Sequence, residues 1–97
     1  MILNERETQE GLLVAVCDDG LIGETFEEGD VSLTVTEEFY GGERVEEAAV
    51  VDSLARASVA NIVGREAVEL AIDEGFVEAG NVLEVESTRH AQVLRLG

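Results

Sequence analysis

Lysine, proline and tryptophan are absent from these 97 residues, and cysteine, histidine and tyrosine occur once each. A lone cysteine, Cys17, excludes an internal disulfide and fits a reducing cytosol. A lone histidine, His90, with no paired Cys or His spacing, excludes the common zinc signatures. The four aromatics, Phe26, Phe39, Tyr40 and Phe76, leave little from which to build stacking platforms. Without proline, the ten glycines carry the special turns. No run approaches the roughly 18 apolar residues of a membrane span. The start, Met1-Ile2-Leu3-Asn4-Glu5-Arg6, lacks the basic-then-apolar layout of a signal peptide. A cytoplasmic protein is expected.

What the chain has in excess is acid. Its 22 Asp and Glu face six Arg, for a net charge of −16. Such a chain repels itself in dilute buffer, and this excess is a lever that halophiles use. The expectation is a cytosolic protein of a salt-accumulating organism. With 45% hydrophobic residues and a mean hydropathy of +0.09, the chain can bury a core. One folded domain over residues 1–97 is therefore expected rather than disorder. In dilute salt the charge argues against nucleic acid. At molar salt the Debye length is only about 3 Å, so RNA remains open through shape, hydrogen bonds and stacking. An anionic membrane surface is disfavoured in either case.

Residues 1–9 read as a charge-guarded edge strand. Residues 12–17, Leu-Leu-Val-Ala-Val-Cys, are apolar on both alternating faces and read as a central strand. Asp18-Asp19-Gly20 is a turn, residues 21–26 a short irregular segment, and Glu27-Glu28-Gly29-Asp30 a second turn. Residues 31–36 alternate strictly, with Val31, Leu33 and Val35 expected inward. A loop over 37–43 leads to a helix over 44–57, its inner face formed by Val50, Leu54 and Ala57 with Val51 and Ala55. Residues 58–64 read as a connection to a second helix at about 65–74. That helix is lined by Ala67, Val68, Ala71 and Ile72 and stopped by Gly75. Residues 82–86 and 90–96 read as two last strands joined by Ser87-Thr88-Arg89. The pattern predicts an α+β domain: a mainly antiparallel sheet of about five strands with two helices on one face.

Four features invite a chemical reading. Phe39-Tyr40-Gly41-Gly42 sets two aromatics beside a diglycine, a stacking surface next to backbone that a ligand can approach. The competing reading makes Phe39 a core anchor and the glycines a plain turn. Asn61-Ile62-Val63-Gly64 leads into a helix whose free amides suit an anion. Glu66 opposes that, and Asn61 reads more readily as a turn former. Cys17 is followed by Asp18 and Asp19, which disfavour a thiolate and suggest a structural thiol. Arg89-His90 is the most cationic dipeptide of the chain and suits an anionic ligand, or simply an exposed strand start. The paired glutamates lack any EF-hand spacing. Weak, nonspecific cation binding is expected, and no dedicated metal or cofactor.

Taken together, these stretches resemble a family of small archaeal proteins, domain of unknown function family 424. The resemblance covers nearly the whole chain. It rests on Leu13-Val14-Ala15-Val16-Cys17-Asp18, Glu38-Phe39-Tyr40-Gly41-Gly42, Asn61-Ile62-Val63-Gly64 before Ala67-Val68-Glu69-Leu70-Ala71, and His90-Ala91-Gln92-Val93. It implies a compact protein of an archaeal cytosol with no established activity. Asp and Glu stand here where Lys is common, which fits a haloarchaeal member. Any family site built on surface lysines would lack its cations here.

The leading functional expectation is a non-enzymatic binding module tied to RNA or ribosome-associated proteins. Phe39, Tyr40, Gly41, Gly42, Asn61 and Gly64 form its contact surface, with Arg89 and His90 adjacent. The alternative is a small enzyme or ligand-binding protein using Cys17, Tyr40 and His90. A homodimer paired through strand 1–9 or the last strand is a third possibility.

Overall fold

The computed structural model describes residues 1–95. Among these residues eight strands are present: β1 Ile2–Thr8, β2 Gly11–Cys17, β3 Thr25–Glu28, β4 Val31–Thr34, β5 Glu43–Arg44, β6 Val59–Val63, β7 Leu83–Val85 and β8 Thr88–Leu94. The α-helices are α1 Glu37–Tyr40, α2 Glu47–Arg56 and α3 Arg65–Asp73, and a 3-10 turn spans Ala79–Asn81. Six strands form one sheet in the order β5-β1-β2-β6-β8-β7, and β3 and β4 pair apart as a hairpin.

The doubly apolar stretch 11–17 occupies the sheet interior, as its pattern requires. It pairs antiparallel with β1 and parallel with β6. Its Leu12, Val14 and Val16 face one side, where they meet Val50 and Leu54 of α2 and Ala67, Val68 and Ala71 of α3. Its Ala15 and Cys17 face the other side, against Phe26, Val35 and Tyr40 of the hairpin and α1. The sheet is thus covered by two helices on one face and, in part, by a hairpin and one helical turn on the other. Val14, Val16, Leu54, Ile62 and Val68 have no exposed surface. Each contributes roughly 1.5–3 kcal/mol through removal from water.

The helix ends are tied down from a distance. Arg95 Nη1 donates to the carbonyls of Leu54, Ala55 and Ala57 at 2.9, 3.0 and 2.9 Å, capping the C-terminus of α2. Gly75, at φ +82°, ends α3 in the left-handed conformation, with its amide on Ile72 O and the Phe76 amide on Ala71 O.

The α+β class holds, with corrections. There are three α-helices rather than two, and α1 lies on the sheet face opposite α2 and α3. Residues 59–63, expected as a connection, form a central strand, because Ala60, Ile62 and Val63 are fully buried. The sheet therefore contains a parallel pair. Residues 31–34 pair only with β3, so Val31, expected inward, is exposed. Ala55, expected on the inner face of its helix, is also exposed. Thr88 and Arg89, expected in a loop, belong to β8, and the turn is Glu86-Ser87. Residues 1–9 are not a bare edge, since β5 pairs with Ile2 and Leu3. The expected end of the last strand, Leu96, lies outside the described residues.

Candidate contact surface

Residues paired across neighbouring strands share a sheet face. The register therefore builds rows on the face opposite α2 and α3. One row is Arg6, Leu13, Val59 and Leu94; the next is Asn4, Ala15, Asn61 and Gln92; the third is Arg44, Ile2, Cys17, Val63, His90 and Leu83, with Arg44 at its far end paired to Asp19. The hairpin and α1 cover Ala15, Cys17 and Val63. Left open are Arg6, Leu13, Val59, Leu94, Asn61 and Gln92. Leu94 is 66% exposed, and Leu83, at the edge of the third row, is 47% exposed.

Among the described residues, no strand carboxylate projects to this face. The acidic residues of the main sheet, Glu5, Glu7, Glu43 and Glu84, all project to the helix side by the same register. Asp18 alone among the acidic residues is not exposed. The open face instead holds an amide pair, in which Gln92 Nε2 donates to Asn61 Oδ1 at 2.8 Å. Arg6 lies over the ring of Phe39 at 5.2 Å and donates to the Glu38 carbonyl, which fixes the guanidinium at the border of the face.

The residues expected to form the site divide between places. Asn61 lies on the open face, and Phe39 reaches its border through Arg6. His90 shares the face, half-buried, and burial lowers its pKa. Tyr40 is only 5% exposed and packs edge-on to Phe39 with centroids 5.0 Å apart. Burial pushes its hydroxyl up to about 12, so it anchors the core rather than stacking on a ligand. Gly41 and Gly42 do allow a close approach, but of this chain to itself. A Cβ at Gly41 would strike the Glu37 carbonyl, and one at Gly42 the Leu3 carbonyl.

Gly64 and Arg89 lie elsewhere. Gly64 precedes α3 at φ +117°, and the Glu66 and Ala67 amides beyond it are already occupied. Asp18 Oδ2 accepts from Glu66 N at 3.0 Å, and Oδ1 from Ala67 N at 2.7 Å. The anion expected at this helix start is thus the protein's own carboxylate. Arg89 alternates to the helix side, away from His90, where its Nε donates to Glu84 Oε2 at 2.6 Å. Arg65 holds the same carboxylate at 3.3 Å.

Cys17 has no exposed surface. Burial first, and the Asp18 charge second, push its thiol up to about 11. Val63 stands between Cys17 and His90 in their row, which sets the two roughly 10 Å apart across two strand spacings. The register thus separates Cys17 from His90, while Tyr40 packs in the same buried cluster as Cys17.

Leu13, Val59, Gln92, Leu94 and Arg6 were not singled out from sequence. For Val59, Gln92 and Leu94 the signal was subtle: two strand segments, 59–63 and 90–94, free of Asp and Glu in a chain rich in both.

The profile of the family described as Protein of unknown function (DUF424) matches residues 5–96. The chain belongs to this family. This DUF424 protein also shares its fold with a crystal structure of an uncharacterized conserved protein from Methanopyrus kandleri. The TM-score is 0.78 at 21% identity, over 99% of this chain and 93% of the other. No curated protein matches the sequence. Among the described residues, no helix of this DUF424 member is long and apolar enough to cross a membrane.

Proposed function

We propose that this DUF424 protein is a non-enzymatic docking module that meets a partner protein through the open half of its sheet. One observation carries the reading: in a chain of net charge −16, the strands turn no carboxylate to the uncovered sheet face among the described residues. Interface cores are depleted of acidic residues and lysine, and enriched in apolar side chains and arginine. Leu13, Val59 and Leu94 supply the apolar centre, Asn61 and Gln92 the hydrogen-bonding pair, and Arg6 the cation. The partner's matching surface is apolar at its centre and basic at its rim, facing carboxylates such as Glu10 and Glu38 around the patch. An RNA would meet a single guanidinium, Arg6, among the six open residues, so phosphate neutralisation would add little.

The exposed carboxylates support a protein working in concentrated salt, where their mutual repulsion is screened.

The test is recovery of the tagged full chain from haloarchaeal lysate at molar salt, with and without ribonuclease. Leu13→Glu is compared with Glu74→Gln, a change on the far side. A protein partner should survive ribonuclease, be retained by Glu74→Gln, and fall by about tenfold or more with Leu13→Glu, which puts an unpaired carboxylate into a dry contact. Release by ribonuclease would replace the protein reading with RNA. Equal capture by Leu13→Glu, folded as judged by its melting temperature, would remove the sheet face from the function.

A further inference from the structure

Strand β8 is bonded to β6 over most of its length on one side, but β7 covers only Thr88–His90 on the other. Arg95 N donates to Ser58 O and Arg89 O accepts from Gly64 N, both at 2.9 Å. The odd-numbered residues of β8 therefore turn their backbone groups to β6, and the even-numbered residues turn theirs outward. Thr88 and His90 meet β7. The N–H and C=O groups of Gln92 and Leu94 meet no strand among the described residues.

Open edges are normally guarded by charge, proline or a bulge. Beyond its cover of β5, the far edge of the sheet carries Glu5, Arg6 and Glu7. The free stretch Ala91-Gln92-Val93-Leu94 has no such guard. In front of it lies a groove of about 420 Å³, walled by Gly75-Phe76-Val77-Glu78 and Asn81. The wall is fixed. The amides of Phe76 and Val77 bond to Ala71 O, and the Arg95 guanidinium sits 5.7 Å from the Phe76 ring centroid.

We propose that this edge receives an extended segment of a partner protein by strand addition beside Gln92 and Leu94. The proposal rests on the docking function above and names its binding mode. Two donors and two acceptors alternating along an edge match an extended backbone. The exposed Leu94 joins the edge to the open face and gives the added strand an apolar neighbour. Glu78 in the groove wall favours basic flanks on the incoming segment. At molar salt the net charge is screened beyond about 3 Å, so pairing with a second copy of this chain is separated from peptide capture by whether a dimer forms without peptide.

The probe is a library of random 12-residue peptides displayed on phage and panned against the full chain at molar salt. Enriched peptides should alternate apolar residues and slow amide exchange at Gln92 and Leu94. Gln92→Pro should weaken them by about tenfold or more, because it removes an outward N–H and spares the ladder to β6. Should Gln92→Pro unfold the domain, Leu94→Lys places a guarding charge on the edge with the backbone intact. Peptides that bind the edge variants like wild type but are lost in Leu13→Glu overturn the edge and leave the face. Peptides indifferent to all three variants overturn both. The absence of enrichment overturns strand addition, and a dimer that protects the same amides without peptide transfers the edge to a second copy.

Discussion

The carboxylate of Asp18 caps the helix that contains Ala67, 49 residues further along the chain, through a hydrogen bond of 2.7 Å to the Ala67 amide. Helix α3 has no side-chain cap of its own, because its N-cap position is Gly64. Only glycine leaves room there: a Cβ on Gly64 would overlap the Asp18 carboxylate. The end of β2 and the start of α3 are thereby locked to each other.

Loss of either half of this lock should destabilise the domain. Asp18→Ala should cost about 1–2 kcal/mol, the usual worth of an N-cap. Gly64→Ala should cost at least about 1–3 kcal/mol, since it combines a strained positive φ with displacement of Asp18. Denaturant unfolding of each variant and of the pair measures both effects. The double variant should cost less than the sum, because the two residues act on one contact.

Glu5 should make stability fall in acid. Its carboxylate accepts from the buried Ser53 hydroxyl at 2.6 Å and from Arg56 at 2.7 Å. The Ser53 bond first, and Arg56 second, hold its pKa below the ordinary value of 4.5. A folded-state pKa below the unfolded one means that the unfolded chain binds protons more tightly. The contribution is therefore complete above about pH 4.5 and is lost as pH falls through the lower folded value. Ser53→Ala removes the largest cause and should flatten the acid limb relative to wild type. An unchanged acid limb in urea titrations from about pH 6 to about pH 3 would refute the assignment.

Cys17 should resist alkylation until the domain unfolds. It lies fully buried beneath the hairpin and α1, with its thiol pushed up to about 11. Labelling in native buffer at neutral pH should follow global opening rather than a fast chemical step. Rapid labelling of the folded protein would return Cys17 to the candidate nucleophiles.

Salt should raise the melting temperature. Clusters such as Glu46, Glu47, Glu66, Glu69 and Asp73 border one groove between α2 and α3. Their repulsion is screened within about 3 Å at molar ionic strength. Calorimetry in dilute and in molar potassium chloride checks this, and equal melting temperatures would contradict a salt-adapted surface.

The site was less legible than the fold. The unbroken apolar run at 12–17 and the helical spacing of Val50 and Leu54 and of Ala67, Val68 and Ala71 depend on neighbours in sequence, so they announced a central strand and two helices. The motif Phe39-Tyr40-Gly41-Gly42 stood out by composition, yet Tyr40 is buried and both glycines pack on the chain's own carbonyls. Distinctive residues here mark a folding constraint.

What the sequence by itself determined is local: the acidic composition, the α+β class, the periodic faces of α2 and α3, and the stop at Gly75. Each follows from backbone preference or side-chain period within a few residues. Only the tertiary structure decided which strand lies beside which. That pairing put 59–63 at the centre of the sheet and placed Val63 between Cys17 and His90. It also delivered Asp18 to α3 and left Gln92 and Leu94 at an open edge. These relationships join residues about 30 to 50 positions apart, and the order of strands in the sheet, which no local pattern encodes, sets them.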